Sequence, residues 1–234
     1  MQKRKGLYTW VLVFLGTLCF GAASGSSRNG LISVPRANIC VTEGAIDGLP
    51  GEQLSVTVPK MRAYINEFTP HAVEAHFTYL GPTGNQAPLA SGELRRQFGL
   101  KLRAQDACNL VYAMWRIEPE SKLVVSVKSN PGQHTSRECG NRGYVNIKPH
   151  RSTPPPILRS GETHDLRAEM NGADLKVYAD DSPVWEGSVG SDALDFDGPV
   201  GIRSDDARLL MELRAAGAHA GRAPGCRSGE GESE

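Results

Sequence analysis

The sequence predicts an all-β protein: a cleavable export signal followed by one antiparallel β-sandwich. Three observations carry this prediction. Short apolar or alternating runs recur between residues 54 and 214, punctuated by Gly, Pro, Asn and Asp. No stretch of similar length holds a helical period. The chain also opens on a basic then apolar leader and closes on a segment without apolar periodicity.

The leader begins Met-Gln-Lys-Arg-Lys and continues through an uncharged run over 7–23. That run is short for a membrane span, which needs about 20 apolar residues. Small residues at Gly21 and Ala23, or Ala22 and Ser24, suit a signal peptidase. The expected organisation is a signal peptide at 1–24, a linker at 25–37, the sandwich at 38–214 and a disordered tail at 215–234. The mature chain is then periplasmic or extracellular, with no membrane span. The whole chain carries 26 basic and 26 acidic residues, and loss of Lys3, Arg4 and Lys5 leaves 23 against 26, a net charge of −3. No global field draws such a protein to nucleic acid.

Export also decides how the cysteines read. Cys40, Cys108, Cys139 and Cys226 survive cleavage, and an oxidising compartment favours disulfides. Four cysteines allow three pairings. Cys108 with Cys139 is the favoured one, since each flanks a strand-rich stretch, and Cys40 with Cys226 is left open.

Strands are expected over 54–58, 72–80, 94–103, 109–117, 122–128, 143–148, 164–170, 173–179, 184–188, 199–203 and 208–214. The Pro-rich segment 152–156 interrupts them as an exposed crossing loop. In the run 94–103, Leu94, Arg96, Phe98, Leu100 and Leu102 share one face, with Arg96 the misfit at a rim. Arg95, Gln97, Gly99, Lys101 and Arg103 share the other. The next strand is apolar on both faces, which suits a central position. Its Leu110, Tyr112, Met114 and Arg116 form one set and Val111, Ala113, Trp115 and Ile117 the other. If the first set faces the side of Arg95 and Lys101, a basic groove with an aromatic floor results, suited to an anionic polysaccharide.

The later hairpin has Asn171-Gly172 as a two-residue turn that accepts positive φ. That register sets Met170 opposite Ala173, Ala168 opposite Leu175 and Leu166 opposite Val177, an apolar face for the core. On the other face it sets Arg167 against Lys176 and Glu169 against Asp174, like charges directly opposed, while the diagonals Glu169/Lys176 and Arg167/Asp174 are favourable. A second turn at 180–183 returns the chain with Val184 inward and Trp185 on the polar face near Lys176 or Tyr178. Tyr178 and Trp185 are therefore a second expected ligand platform, unless a β-bulge reverses the register.

This closing segment, with His164 and Leu166, Asn171-Gly172, Val177-Tyr178, Val184-Trp185-Glu186-Gly187 and Gly198-Pro199-Val200-Gly201-Ile202-Arg203, resembles the C-terminal strands of the concanavalin A-like lectin/glucanase superfamily. It is most similar to laminin-G-like modules and the 3-keto-disaccharide hydrolase domain. The resemblance covers about the last 50 residues of the expected sandwich and implies a jelly roll. It does not specify a function, since one fold hosts many.

Catalytic signatures are largely missing. Glucanases of this superfamily carry acids at E-x-D-x-x-E spacing, and Glu162, Asp165 and Glu169 do not match. The run Ser91-Gly92-Glu93-Leu94-Arg95-Arg96-Gln97 is similar to a strand of jelly-roll polysaccharide lyases, but the accompanying Q-I/V-H strand is absent. Arg95, His134 and Tyr144 are the candidates a lyase would use. His71 and His76, five apart, fall on opposite faces of a strand and do not make a joint metal site. Asp192, Asp195 and Asp197 could offer oxygens to calcium, although turns favour Asp for backbone reasons. No cofactor is expected. The leading expectation is a non-catalytic module binding carbohydrate or a cell-envelope component, through Arg95, Gln97, Lys101, Arg103, Tyr112 and Arg116 or through Tyr178 and Trp185. A jelly-roll lyase or glycoside hydrolase and a structural envelope protein are the alternatives.

Overall fold

Alternation of apolar and polar residues, which sends successive side chains to opposite faces, builds nearly every element of the chain. The computed structural model describes residues 30–66, 71–216 and Cys226. Its strands are β1 (Leu31–Ser33), β2 (Ile39–Glu43), β3 (Asp47–Gly48), β4 (Leu54–Val56), β5 (Lys60–Ile65), β6 (Ala72–Pro82), β7 (Arg96–Leu102), β8 (Leu110–Glu118) and β9 (Lys122–Lys128). A four-residue helix α1 (Ser136–Cys139) follows, and then β10 (Tyr144–Asn146), β11 (Arg151–Ser152), β12 (Thr163–Asn171), β13 (Asp174–Ala179), β14 (Ser182–Ser188), β15 (Gly201–Asp205) and β16 (Ala207–Ala216).

Among the described residues these strands form two antiparallel sheets, the sandwich expected from the sequence. Sheet A runs β11-β14-β13-β12-β6-β16-β4-β3, with β1 also paired to β16, and sheet B runs β10-β9-β8-β7-β15-β5-β2. Leu166, Leu175 and Met211 from sheet A pack with Phe98, Leu100, Trp115 and Ile202 from sheet B in one buried cluster. Phe77 joins the layers, its ring 4.8 Å from that of Phe98 and 5.9 Å, edge-on, from that of Trp115. Each fully buried aliphatic or phenylalanine side chain of this kind contributes about 1.5–3 kcal/mol relative to exposure. The central strand β8 is covered on both faces, as its doubly apolar sequence requires.

The sheets extend further than expected. Leu31–Ser33, inside the segment expected as linker, pairs with β16, and β16 itself runs two residues past 214. The strands β2 and β5 also complete an edge of sheet B. The Pro-rich loop begins only after Arg151 and Ser152 have paired with β14. The expected signal peptide and nearly all of the expected tail lie outside the described residues. Two disulfides are present, Cys108–Cys139 and Cys40–Cys226.

The hairpin register differs from expectation. The turn is Gly172-Ala173 rather than Asn171-Gly172, so Asn171 pairs with Asp174, Met170 with Leu175 and Ala168 with Val177. A two-residue slide keeps every side chain on its face. It changes the partners: Glu169 now faces Lys176, and Arg167 faces Tyr178. Of the diagonal attractions of the expected register, Glu169 with Lys176 has become direct, and the like-charge pairs have gone.

Candidate functional site

The outer face of sheet B is where alternation concentrates polar and aromatic groups. On β7 and β8 the register sets Gln97 beside Arg116, Gly99 beside Met114 and Lys101 beside Tyr112, so the two outward sets do share a side. From β15, Arg203 falls opposite Gly99, and from β10, Asn146 falls opposite Ser126 and Tyr144 opposite Lys128. A cleft of about 230 Å³ opens over this surface, walled by the loop 89–95 on one side and by Gly140, Asn141 and β10 on the other. Gly99 is obligatory beneath it. A Cβ there would lie 2.4 Å from the Ala113 carbonyl oxygen and 2.7 Å from Met114 Sδ.

One end of the cleft is aromatic. The rings of Tyr112 and Tyr144 stack at 6.0 Å with 25° between their planes. Arg203 lies 5.3 Å from the Tyr112 centroid and Lys128 lies 5.0 Å from that of Tyr144. Tyr144 is 37% exposed and is the aromatic surface a ligand would meet. Burial, then the neighbouring Tyr112, pushes its phenol up to about 12.

Beneath the cleft a buried ionic network fixes Arg203. Asp205 Oδ2 accepts from Arg203 Nε at 2.9 Å and from Gln97 Nε2 at 2.6 Å, while Oδ1 accepts from Arg62 Nη2 at 2.6 Å. Arg62 Nη1 also donates to the carbonyl oxygens of Met61 and Ser204. Burial alone would raise the Asp205 carboxyl, but the Arg203 and Arg62 charges outweigh it and hold the group at about 2. Burial alone would lower Arg203, but the Asp205 charge lifts it well above the usual arginine range.

The other end is cationic. Arg95 makes a two-pronged contact with Glu93, which lowers the Glu93 carboxyl. Arg116 has no such counterpart: its Nε is buried without a hydrogen-bond partner. Burial, then the charge of Arg95, lowers its pKa.

Four of the predicted residues, Arg95, Gln97, Tyr112 and Arg116, therefore line one cleft. Lys101 shares the face but is 3% exposed and lies under it. Arg103 turns away at φ 48° and donates from Nη2 to the Leu194 carbonyl oxygen at 2.8 Å. The platform expected from Tyr178 and Trp185 does not form. A bulge between Val177 and Tyr178 shifts the pairing so that Val177 meets Trp185, whose ring is 2% exposed in the core. Tyr178 stays on the outer face, 8% exposed, with the Arg167 guanidinium 4.3 Å from its ring centroid.

Of the lyase candidates, Arg95 and Tyr144 line the cleft and His134 does not. His134 belongs to a second cleft of about 320 Å³ with Asn109, Asp192, Asp195 and Phe196, its Nδ1 held 2.8 Å from Asp106 Oδ2. Among the described residues no three His, Cys, Asp or Glu side chains come together as metal ligands, so Asp192, Asp195 and Asp197 do not form a calcium cage. Sequence reasoning missed Arg203, Asn141, Ser126 and Asn146 as cleft residues. For Arg203 the signal was present, since it alternates with the inward Ile202.

No family model matches the chain, and no curated protein matches it. Several solved structures are similar to it at TM-scores below 0.5. The carbohydrate-binding module CBM66 from Bacillus subtilis is 17% identical at a TM-score of 0.49, covering 75% of this chain and 92% of that one. The carbohydrate recognition domain of Emp46p, in its metal-free form, is 9% identical at 0.49, with 78% and 94% covered. The Crh5 transglycosylase is 10% identical at 0.48, with 83% and 86% covered.

Proposed function

We propose that this is an exported, non-catalytic module that binds a glycan in the cleft of sheet B. The observation that carries the reading is the joint presence of an exposed aromatic ring, Tyr144, and convergent polar groups from Gln97, Ser126, Asn141 and Asn146 on rigid strands or beside them. A sugar offers an apolar C–H face and a rim of hydroxyls, and such a surface meets both. The two disulfides support an oxidising compartment outside the cytoplasm.

A lyase is the second reading, favoured by Arg95 and Tyr144 in the same cleft. Two facts weigh against it. A phenol held near 12 is a poor base at neutral pH, and His134 lies in the other cleft. A structural envelope protein without a sugar ligand is the third.

Glycan-array binding by the full chain separates these readings. Retention of one glycan class is expected, with Tyr144→Ala weakening it tenfold or more, about 1.4 kcal/mol, at unchanged melting temperature. Release of unsaturated ends from a bound polysaccharide would favour the lyase. An array with no signal, beside a pull-down returning proteins alone, would favour the envelope role.

A further inference from the structure

We infer that Arg116 is the receptor for the carboxylate of an acidic sugar, one unit of a glycan whose neighbouring ring rests on Tyr144. This rests on the cleft of sheet B being a glycan site, and it names the class of glycan.

The argument is one of matching charges and donors. Three guanidinium groups line the cleft, those of Arg95, Arg116 and Arg203, and a single carboxylate, Glu93, lines it with them. Arg203 is satisfied from below by Asp205 and Arg95 from the side by Glu93. Arg116 is the third. Its neighbours along the sheet cannot serve it: Lys122, opposite on β9, is itself a cation bonded to Glu120, and Gln97, opposite on β7, has its amide directed to Asp205. Arg116 lines the cleft with its Nε turned into the protein, and the two acids whose charge reaches it, Glu93 and Glu120, are already bonded to Arg95 and Lys122. A guanidinium on a cleft wall whose nearby acids are engaged elsewhere keeps donors for an anion entering the cleft.

The identity of the acceptor follows from the donor. The two terminal amino groups of a guanidinium present parallel N–H bonds, which match the two coplanar oxygens of a carboxylate. The Arg95 charge alongside favours an anion over a neutral hydroxyl. Tyr112 and Arg116 are four residues apart on β8, about 13 Å. A bound chain therefore reaches from the aromatic end to the cationic end with more than one sugar.

The test uses short oligogalacturonates and the same oligosaccharides with their carboxylates reduced to alcohols, titrated into the full chain. Wild type should bind the acidic form at least tenfold more tightly, with the preference shrinking as salt is added. Arg116→Gln should erase the preference, bringing affinity for the acidic form down to that for the reduced form. Arg116→Lys, which keeps the charge but loses the fork, should restore only part of it. Tyr144→Ala should weaken both forms alike. Circular dichroism melts of each variant should superimpose on wild type.

Equal binding of acidic and reduced oligosaccharides, still sensitive to Tyr144→Ala, would overturn the carboxylate receptor and leave the glycan reading standing. So would an acid preference that survives Arg116→Gln. An Arg116-dependent preference for sulfated glycans lacking uronate would overturn the carboxylate assignment. Absence of binding by either form, with a glycan array that still shows retention, would overturn the acidic-sugar receptor alone; with a silent array it would remove the glycan reading as well.

Discussion

The outer faces of the two sheets are built from the same materials and end in opposite states. Each carries an arginine guanidinium against a tyrosine ring. On sheet A, Arg167 is 2% exposed, pairs with Glu169, lies 3.5 Å from carboxylate oxygens of Glu74 and Asp181, and covers the Tyr178 ring. On sheet B, Arg203 is neutralised below the surface, Tyr144 stays open, and the acids nearest Arg116, Glu93 and Glu120, are bonded to Arg95 and Lys122 instead. The difference lies in the supply of carboxylates. Where acids bond every arginine the face closes on itself, and where the nearby acids are bonded elsewhere an arginine stays open.

The largest effect should come from the acid that sheet B places under its cleft. Asp205→Ala strands Arg203 in a buried site without its counter-charge and leaves Arg62 only Glu43, 3.7 Å away. Breaking a buried pair in this way costs about 3–5 kcal/mol, readable as a lower denaturant midpoint. Glu169→Ala on sheet A leaves Arg167 beside Glu74 and Asp181 and should cost less than about 1 kcal/mol. Equal losses would break the comparison, because the two networks would then be interchangeable.

A smaller effect tests the wall of the cleft. The Cys108–Cys139 bridge anchors α1 just before Gly140 and Asn141, and the helix is further fixed by a capping box between Thr135 and Glu138. Replacing both cysteines with Ser should cost about 2–4 kcal/mol and weaken glycan binding, since the wall carrying Asn141 loosens. If binding falls while stability holds, the bridge positions the wall without supporting the sandwich.

Acid should reveal Asp205 next. Its carboxyl titrates near 2 when folded and near 3.9 when unfolded. Its folded pKa is depressed, so its contribution is complete above about pH 4 and is lost as pH falls towards 2. The size is roughly 2.5 kcal/mol. Urea unfolding at pH 5 and pH 2.5 should show this loss in wild type and a shallower one in Asp205→Asn.

Much of the fold was legible because alternation is local. Phe98, Leu100 and Leu102 against Gln97, Gly99 and Lys101 show which face of β7 meets the other sheet. The candidate site was legible in half, for the same reason. Arg95, Gln97, Tyr112 and Arg116 lie on adjacent strands or at their ends, whereas Arg203 and Asn146 arrive through pairings that no local pattern announces. Trp185 was misplaced because one extra residue on β14, Val184, stands opposite the Val177–Tyr178 step and reverses the pairing beyond it, and a bulge leaves no mark in the alternation. The short β1 and β3 are three and two residues long, too brief to display a period.

The subtlest prediction concerns a sign rather than a size. The turn could sit at Asn171-Gly172 or at Gly172-Ala173, and both registers bury the same apolar face, so core packing does not choose between them. Charge does. With the turn at Asn171-Gly172, Lys176 would face Arg167, and Lys176→Glu would replace a repulsion with an attraction and stabilise the hairpin. With the turn at Gly172-Ala173, Lys176 stands between Glu169 on β12 and Glu186 on β14, and the same substitution sets three acids in a row across the sheet. Directly opposed like charges on a sheet cost roughly 0.2–1 kcal/mol. Lys176→Glu should therefore lower the denaturant midpoint, by less at high salt than at low. A raised midpoint would return the hairpin to the other register and remove the Arg167–Tyr178 stack by which sheet A closes its face.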